Sequence, residues 1–464
     1  MQINNKPCVL ISLKNKEILK RSPISIKILS LGITLMSLFS IYYLHYGWEG
    51  AYIRVLISAL TAFSIFVIIL LKMVIIRKVY REILCTDVII LGTIPILLYG
   101  VFIGVIKGAY LYDAIAEFYP FIEFVIYYVL LSIIITDQED IILIIKFILF
   151  SSVITSTVEL YLYFTTKEFF FFPVSLGGQY FPRINDFNAA FTFPLIIGIA
   201  CVQWKHIGFL KKVIYTLSTL ILASIILLGY FRSQWLSVSC GVLIIFFLVL
   251  KSNHIRDLKP FTLLLCIIII ISIFSYLIFK PAFSKLFIEI MFQGFGQQSS
   301  STSIISRMNS LKLFLTKISG YTVIFGEGLG TLITSDISTI FGKNISFFNL
   351  YLTLIYKLGL VGSIILLTPL IMLFIYSHKI LKLLEMQGAT WELEKGITIG
   401  LLGGTVSILV TFLFFASPLR FLLMVYLAMS FVSVLKIGKW LKKNRERGIR
   451  QRVVTTKNRG APFI

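Results

Sequence analysis

The sequence predicts an all-α, polytopic transmembrane helical bundle of about twelve spans with a large, partly helical extracytoplasmic loop. Three observations carry this expectation. Of 464 residues, 58% are hydrophobic and only 14% charged, whereas soluble domains are roughly a quarter charged. The mean hydropathy is +0.94. Apolar runs of about 18 to 22 residues recur along the whole chain, each long enough to cross a hydrocarbon core of about 30 Å. No Pro/Gly-rich or charged linker divides the chain into soluble domains.

The expected spans lie near 28–46, 55–76, 84–106, 118–136, 141–164, 187–204, 213–230, 234–250, 261–279, 359–377, 396–415 and 418–436. Lipid offers the backbone no hydrogen-bond partners, so runs of this length span as helices. The first run follows Lys14, Lys16, Lys20, Arg21 and Lys27. It is too long for a signal h-region and lacks a small-residue cleavage site, so it is expected to be a retained helix. Four regions result: 1–279 with helices one to nine, 280–347 as the large loop, 348–436 as a re-entry segment with helices ten to twelve, and a basic tail over 437–464.

The net charge of +22 first suggests nucleic acid, but placement argues otherwise. With both termini cytoplasmic, most basic residues fall on cytoplasmic segments, as the positive-inside rule requires. The tail residues Lys442, Lys443, Arg445, Arg447, Arg450 and Arg452 read as an anchor beside anionic headgroups, and no nucleic-acid partner is expected. The expected location is a bacterial inner or plasma membrane, crossed many times.

Two outer loops exceed the usual length, Thr165–Asp186 and 280–347, and long loops commonly carry function. In the second, residues 282–292 read as an interfacial amphipathic helix. GFGQQSSSTS follows as a flexible stretch. Ser303 is then expected to cap a helix with Ile304, Ile305, Met308, Leu311 and Phe314 on one face and Arg307 and Lys312 elsewhere. The segment closes in the Gly-rich turn FGEGLG (325–330). This pattern predicts a folded lid rather than a linker.

The five cysteines, at 8, 85, 201, 240 and 266, avoid the predicted outer loops, so no disulfide framework is implied. The four histidines form no cluster with metal-ligand spacing, and no phosphate loop or dinucleotide fingerprint occurs. Neither metal nor cofactor is expected.

Ionisable residues in spans are costly and point to function by default. Glu117, Glu123, Glu159, Arg232 and Arg420 map to the outer half or rim of their helices. Arg183, Arg307, Lys312 and Lys317 stand above them in the loops. Such a cationic rim suits an anionic, lipid-attached substrate, because guanidinium forks match phosphate oxygens. Headgroup anchoring or pairing with the glutamates would place the same residues there. For Glu123 and Glu159 a proton or cation site and structural pairing both stay open.

In their order, five segments resemble the O-antigen ligase and O-antigen polymerase superfamily of bacterial envelope glycan assembly. FPRINDFNAAFTFPL (181–195) is similar to the family's Arg, Asn and small-residue start of a span. GYFRSQWLSV (229–238) is similar to its Ser/Arg–Trp turn, with the order here Arg232–Ser233. SRMNSLKLF (306–314), FGEGLG and FFNLYLTLIYKLGLVGSII (347–365) resemble the Arg helix, the Gly turn and the Asn-x-Tyr-Leu…Gly-x-x-Gly re-entrant segment. The likeness covers about residues 180–380; the first 180 match in hydropathy alone. The family commonly has His before the Asn of the last motif, where this chain has Phe348 before Asn349, which favours a polymerase over a ligase.

The resemblance implies polymerisation of undecaprenyl-diphosphate-linked repeat units into O-antigen, capsule or exopolysaccharide at the outer leaflet, by a glycosyltransferase needing no metal. Arg232, Arg307 and Glu327 would be catalytic, with Asp336 a second candidate acid. Arg183, Asn188, Arg420 and Asn349 would bind substrate. Asn349 and Tyr351 also read as caps, and Gly359 and Gly362 as helix-packing residues. A chain-length regulator and a flippase are the partners implied beside membrane lipid. The rival readings are a ligase, a lipid-linked oligosaccharide flippase or other secondary transporter, and a peptidoglycan-type polymerase.

Overall fold

The computed structural model describes residues 24–46, 48–76, 85–165, 174–176, 179–181, 187–229, 232–251, 302–318, 320–331, 349–387, 391–413 and 423–459. Among them fourteen helices follow in order: α1 Ile24–Tyr46, α2 Trp48–Ile76, α3 Cys85–Leu91, α4 Thr93–Ile106, α5 Leu111–Ile134, α6 Gln138–Thr165, α7 Phe187–Gln203, α8 Phe209–Leu228, α9 Arg232–Lys251, α10 Thr302–Lys317, α11 Tyr321–Phe325, α12 Leu350–Gln387, α13 Glu392–Phe412 and α14 Leu423–Arg459. An antiparallel pair, β1 Val174–Leu176 and β2 Gln179–Phe181, lies between α6 and α7, with Ser175 opposite Tyr180.

Among the described residues eight helices are long and apolar enough to cross a membrane, α3 and α4 together forming one of them. The chain is therefore a multi-pass helical membrane protein. Helices also occupy the first, second and sixth expected spans. The expected span at 261–279, the amphipathic segment 282–292 and the Gly/Ser/Gln stretch lie outside the described residues.

Local chemistry sets the helix ends. At the start of α6 the Asp140 carboxylate accepts the backbone N–H groups of Thr136 (2.8 Å) and Asp137 (3.0 Å). This is the returning half of a capping box, and Glu139 and Asp140 also face the positive end of the helix dipole. The Trp235 indole of α9 donates to the Ile226 carbonyl of α8 at 2.8 Å, tying the two helices together. α10 begins at Thr302, so Ser303 lies in its first turn instead of capping it. Of its expected apolar face, Phe314 is buried against Tyr356, but Leu311 is exposed. The side chains of Ile304, Ile305 and Met308 lie outside the described residues.

The centre of the bundle is α13. Of its membrane-length window 83% is buried, against 28% for α8. Gly396, Gly400 and Gly404 recur every fourth residue and so share one face. A Cβ on Gly400 would come within 2.5 Å of the Leu195 carbonyl oxygen, and one on Gly404 within 2.6 Å of the Phe191 ring. Gly403 turns toward Ile245 and Gly241 of α9. Lipid offers no hydrophobic drive between helices, so such small-residue seams gain their energy from close backbone contact. The Phe191 ring also stacks on Tyr426 of α14 with centroids 4.7 Å apart.

Polar groups in the bundle are tied across helices. Ser58 of α2 donates to the Glu123 carboxylate of α5 at 2.5 Å, and the Tyr127 hydroxyl donates to the Ser58 carbonyl at 3.2 Å. Tyr128 donates to Asp87 of α3 at 2.7 Å. Ser152 of α6 meets Thr192 of α7 at 2.8 Å. At the far end His206 Nε2 lies 2.7 Å from the Glu392 carboxylate, joining the α7–α8 turn to α13.

Candidate functional site: a glycine turn seated in a broken helix

α12 has non-helical backbone at Gly359, with φ +70° and ψ 179°. Gly359 therefore marks a break, and it also packs closely: a Cβ there would fall 2.0 Å from the Ile324 carbonyl oxygen of α11. A left-handed φ costs a residue with a Cβ about 1–2 kcal/mol and glycine little. A break frees the carbonyls of the preceding turn, which must then find other donors. Two of those donors come from the glycine turn of the large loop. Glu327 N–H donates to the Tyr356 carbonyl and Gly328 N–H to the Lys357 carbonyl, each at 2.8 Å.

The turn is fixed on its other side as well. Leu329 N–H donates to the Gly100 carbonyl of α4 at 2.7 Å. Gly326, Gly328 and Gly330 have φ of +78°, +93° and +79°. There is no room for side chains there: a Cβ on Gly328 would fall 2.1 Å from Gly104 N, and one on Gly104 1.8 Å from the Leu329 carbonyl oxygen. The alternation of glycines in FGEGLG thus serves two demands, left-handed backbone and direct contact with α4 and α12. Gly362 packs with helical backbone, facing Leu358 and Ile96.

Charged groups complete the seat. The Lys357 side chain is fully buried, and its Nζ lies 3.3 Å from Glu117 Oε1 of α5. It also donates to the Thr331 carbonyl. Glu117 Oε2 accepts Gly330 N–H at 2.6 Å. Asp113, one turn earlier on α5, is buried too. At the margin Lys107 donates to Glu327 Oε2 at 2.6 Å and lies 4.9 Å from the centroid of the Tyr321 ring. Burial alone would lower the Lys107 pKa, but the Glu327 carboxylate and the Tyr321 hydroxyl outweigh it and hold the ammonium above the ordinary lysine value.

The predicted site residues divide sharply. Glu327 is present with its carboxylate oriented by Lys107. Asn349 caps α12: its Oδ1 accepts the N–H groups of Tyr351 (2.8 Å) and Leu352 (3.2 Å). Tyr351 donates to the Leu409 carbonyl of α13 at 2.8 Å. Asn188 is buried in the first turn of α7. Arg232 opens α9 and Arg307 lies in α10, but their side chains fall outside the described residues. Arg183, Asp336, Phe348 and Arg420 lie outside them altogether.

Lys357, Lys107 and Asp113 were not among the predicted site residues. Lys357 carried a signal, a lone charge within the apolar run LYLTLIYKLGLVGSII. Glu117, assigned to the outer rim, turns out to pair with that lysine rather than with an arginine. Glu123 bonds Ser58, also not an arginine. Among the described residues no group of three or more His, Cys, Asp or Glu could hold a metal ion. Compared with models of known families and with curated proteins, the chain matches none.

Proposed function

We propose that this protein polymerises undecaprenyl-diphosphate-linked oligosaccharide repeat units at the outer leaflet of a bacterial plasma membrane, as a glycosyltransferase that works without metal. One observation carries this reading. Two of the five segments on which the family resemblance rests, the Gly turn and the Asn-x-Tyr-Leu…Gly-x-x-Gly segment, bind each other directly through Glu327 N–H, Gly328 N–H and the carbonyls of Tyr356 and Lys357. Segments related only by order in the sequence have no reason to meet in this way.

The chemistry requires three provisions. Cationic donors must hold the diphosphate as its charge develops on leaving. In this proposal Arg232 and Arg307 supply them, and Arg183 and Arg420 hold the bound donor. The acceptor hydroxyl must lie in line with C1 of the sugar; Asn188 and the Asn349 amide are the proposed positioning contacts. Its proton must pass to a base as the new glycosidic bond forms and the C1–O bond to diphosphate breaks. Glu327 is the proposed acceptor of that proton. A flippase would supply the lipid-linked unit, and a chain-length regulator would set product length. Twelve spans with cytoplasmic termini complete the proposed topology.

A second reading, secondary transport, is favoured by a different observation. A membrane helix broken at a glycine, with a buried Lys–Glu pair beside the break, is how many transporters build their substrate sites. A deletion strain separates the two. Loss of a polymerase leaves single repeat units displayed at the surface, whereas loss of a flippase leaves none outside. Within the polymerase reading, Arg232→Ala and Arg307→Ala should each abolish long-chain glycan while the protein still inserts. Normal chain-length ladders in both variants would remove the assigned site. Phe348→His tests the choice of polymerase over ligase: gain of transfer to a lipid acceptor would show that this position governs it.

A further inference from the structure

α12 runs for 38 residues, about 57 Å at 1.5 Å per residue, against a hydrocarbon core of about 30 Å. The break at Gly359 divides this excess from the span. Residues 350–358 become a separate segment capped by Asn349 and joined by hydrogen bonds to the glycine turn. On the same segment Tyr356 packs against Phe314 of α10. Helix α10, the turn and segment 350–358 therefore meet as one packed unit.

That unit is held to α5 by charge. Glu117 uses one oxygen for Lys357 and the other for Gly330 N–H, while Lys357 also reaches the Thr331 carbonyl. The charged groups facing this seat are Asp113 and Glu117 from α5, Lys107 following α4, Glu327 from the turn and Lys357 from α12. An apolar plug would fill the space without the desolvation cost of a buried ion pair. An apolar contact is indifferent to sliding, however, whereas one register alone brings Gly330 N–H and Thr331 C=O onto this pair. Buried polar groups fix register in this way in other helical assemblies.

We infer that Lys357 and Glu117 are positioning residues: they set the register of the glycine turn in the broken helix, and through it the placement of Glu327 and of the helix bearing Arg307. Neither need touch substrate. The functional half of this inference rests on the polymerase reading; the geometric half stands without it.

Spin labels at Ile106→Cys and Ile324→Cys, both exposed positions, test it in a background with the five native cysteines replaced. Double electron–electron resonance on the reconstituted protein should give one narrow distance population. Lys357→Met and Glu117→Gln should each broaden it or add a second population, and Lys357→Arg should keep it narrow. In cells the same two variants should lower long-chain glycan by up to about a hundredfold, the scale expected when reacting groups shift by about 1 Å. A narrow, unshifted distribution in both Lys357→Met and Glu117→Gln would overturn the inference. If Lys357→Met does not insert, the near-isosteric Glu117→Gln decides alone. A broadened distribution with normal glycan would leave the positioning role standing and remove the catalytic placement of Glu327 and Arg307.

Discussion

Two glycine-rich regions use the same residue for opposite ends. In α13, Gly396, Gly400 and Gly404 keep helical backbone and bring whole helices into contact along a seam with α7. In the turn 326–330 and at Gly359, glycine supplies left-handed backbone, and helix α12 is broken where the turn enters. The seam is bounded by apolar atoms and peptide groups. The seat is bounded by Lys357, Glu117 and Asp113. Close approach without charge makes a permanent core. Close approach organised by charge makes a joint whose register is specified, and it lies where the large loop meets the bundle.

The largest expected effect belongs to the charged seat. Lys357→Met leaves Glu117 buried without its ammonium and should cost about 3–5 kcal/mol. The double variant Lys357→Met with Glu117→Leu should cost less than the single, as thermal melting in detergent would show. A double variant worse than the single would break the contrast between register and adhesion. Next come the glycines. Gly400→Ala forces a Cβ to within 2.5 Å of a backbone oxygen, an overpacking penalty of about 1–3 kcal/mol felt by the entire bundle. Gly328→Ala should act locally, exposing the loop to trypsin while the melt of the remaining helices changes little. Equal effects of the two on global melting would erase the distinction between seam and seat.

How much of this was legible in the sequence follows from what each signal measures. Apolar run length reports the membrane directly, so the described helices cover the expected spans other than 261–279. FGEGLG was recognisable as a turn because three alternating glycines have few other uses. Its destination was not legible, since hydrogen bonds from Glu327 and Gly328 to Tyr356 and Lys357 join segments separated by 17 residues outside the described ones. Lys357 was hidden in an apolar run, and its partner Glu117 lies 240 positions earlier in the chain. Near outer glutamates an arginine is the expected cation, because guanidinium suits phosphate; the buried pair instead uses a lysine, whose compact ammonium fits between a carboxylate and a carbonyl.

Smaller effects sharpen the same picture. Asn349→Ala removes the cap of the segment facing the seat and should cost about 1 kcal/mol, read from the melt. Lys107→Ala removes a partly exposed pair and should cost under about 1 kcal/mol. Because the folded-state pKa of Lys107 is raised, its contribution is fully present below the ordinary lysine value of about 10.4. It is lost as pH rises through the folded value. The stability difference between the parent and Lys107→Ala should therefore vanish at strongly alkaline pH and persist at neutral pH.

The glycine turn is seated against α4 and the broken α12. Zero-length carbodiimide coupling of the protein in lipid nanodiscs reads that contact, because Lys107 Nζ lies 2.6 Å from Glu327 Oε2. Peptide mass spectrometry should find an amide between Lys107 and Glu327, absent in Glu327→Gln. Efficient coupling at other Lys–carboxylate contacts without a Lys107–Glu327 link would contradict the seated turn.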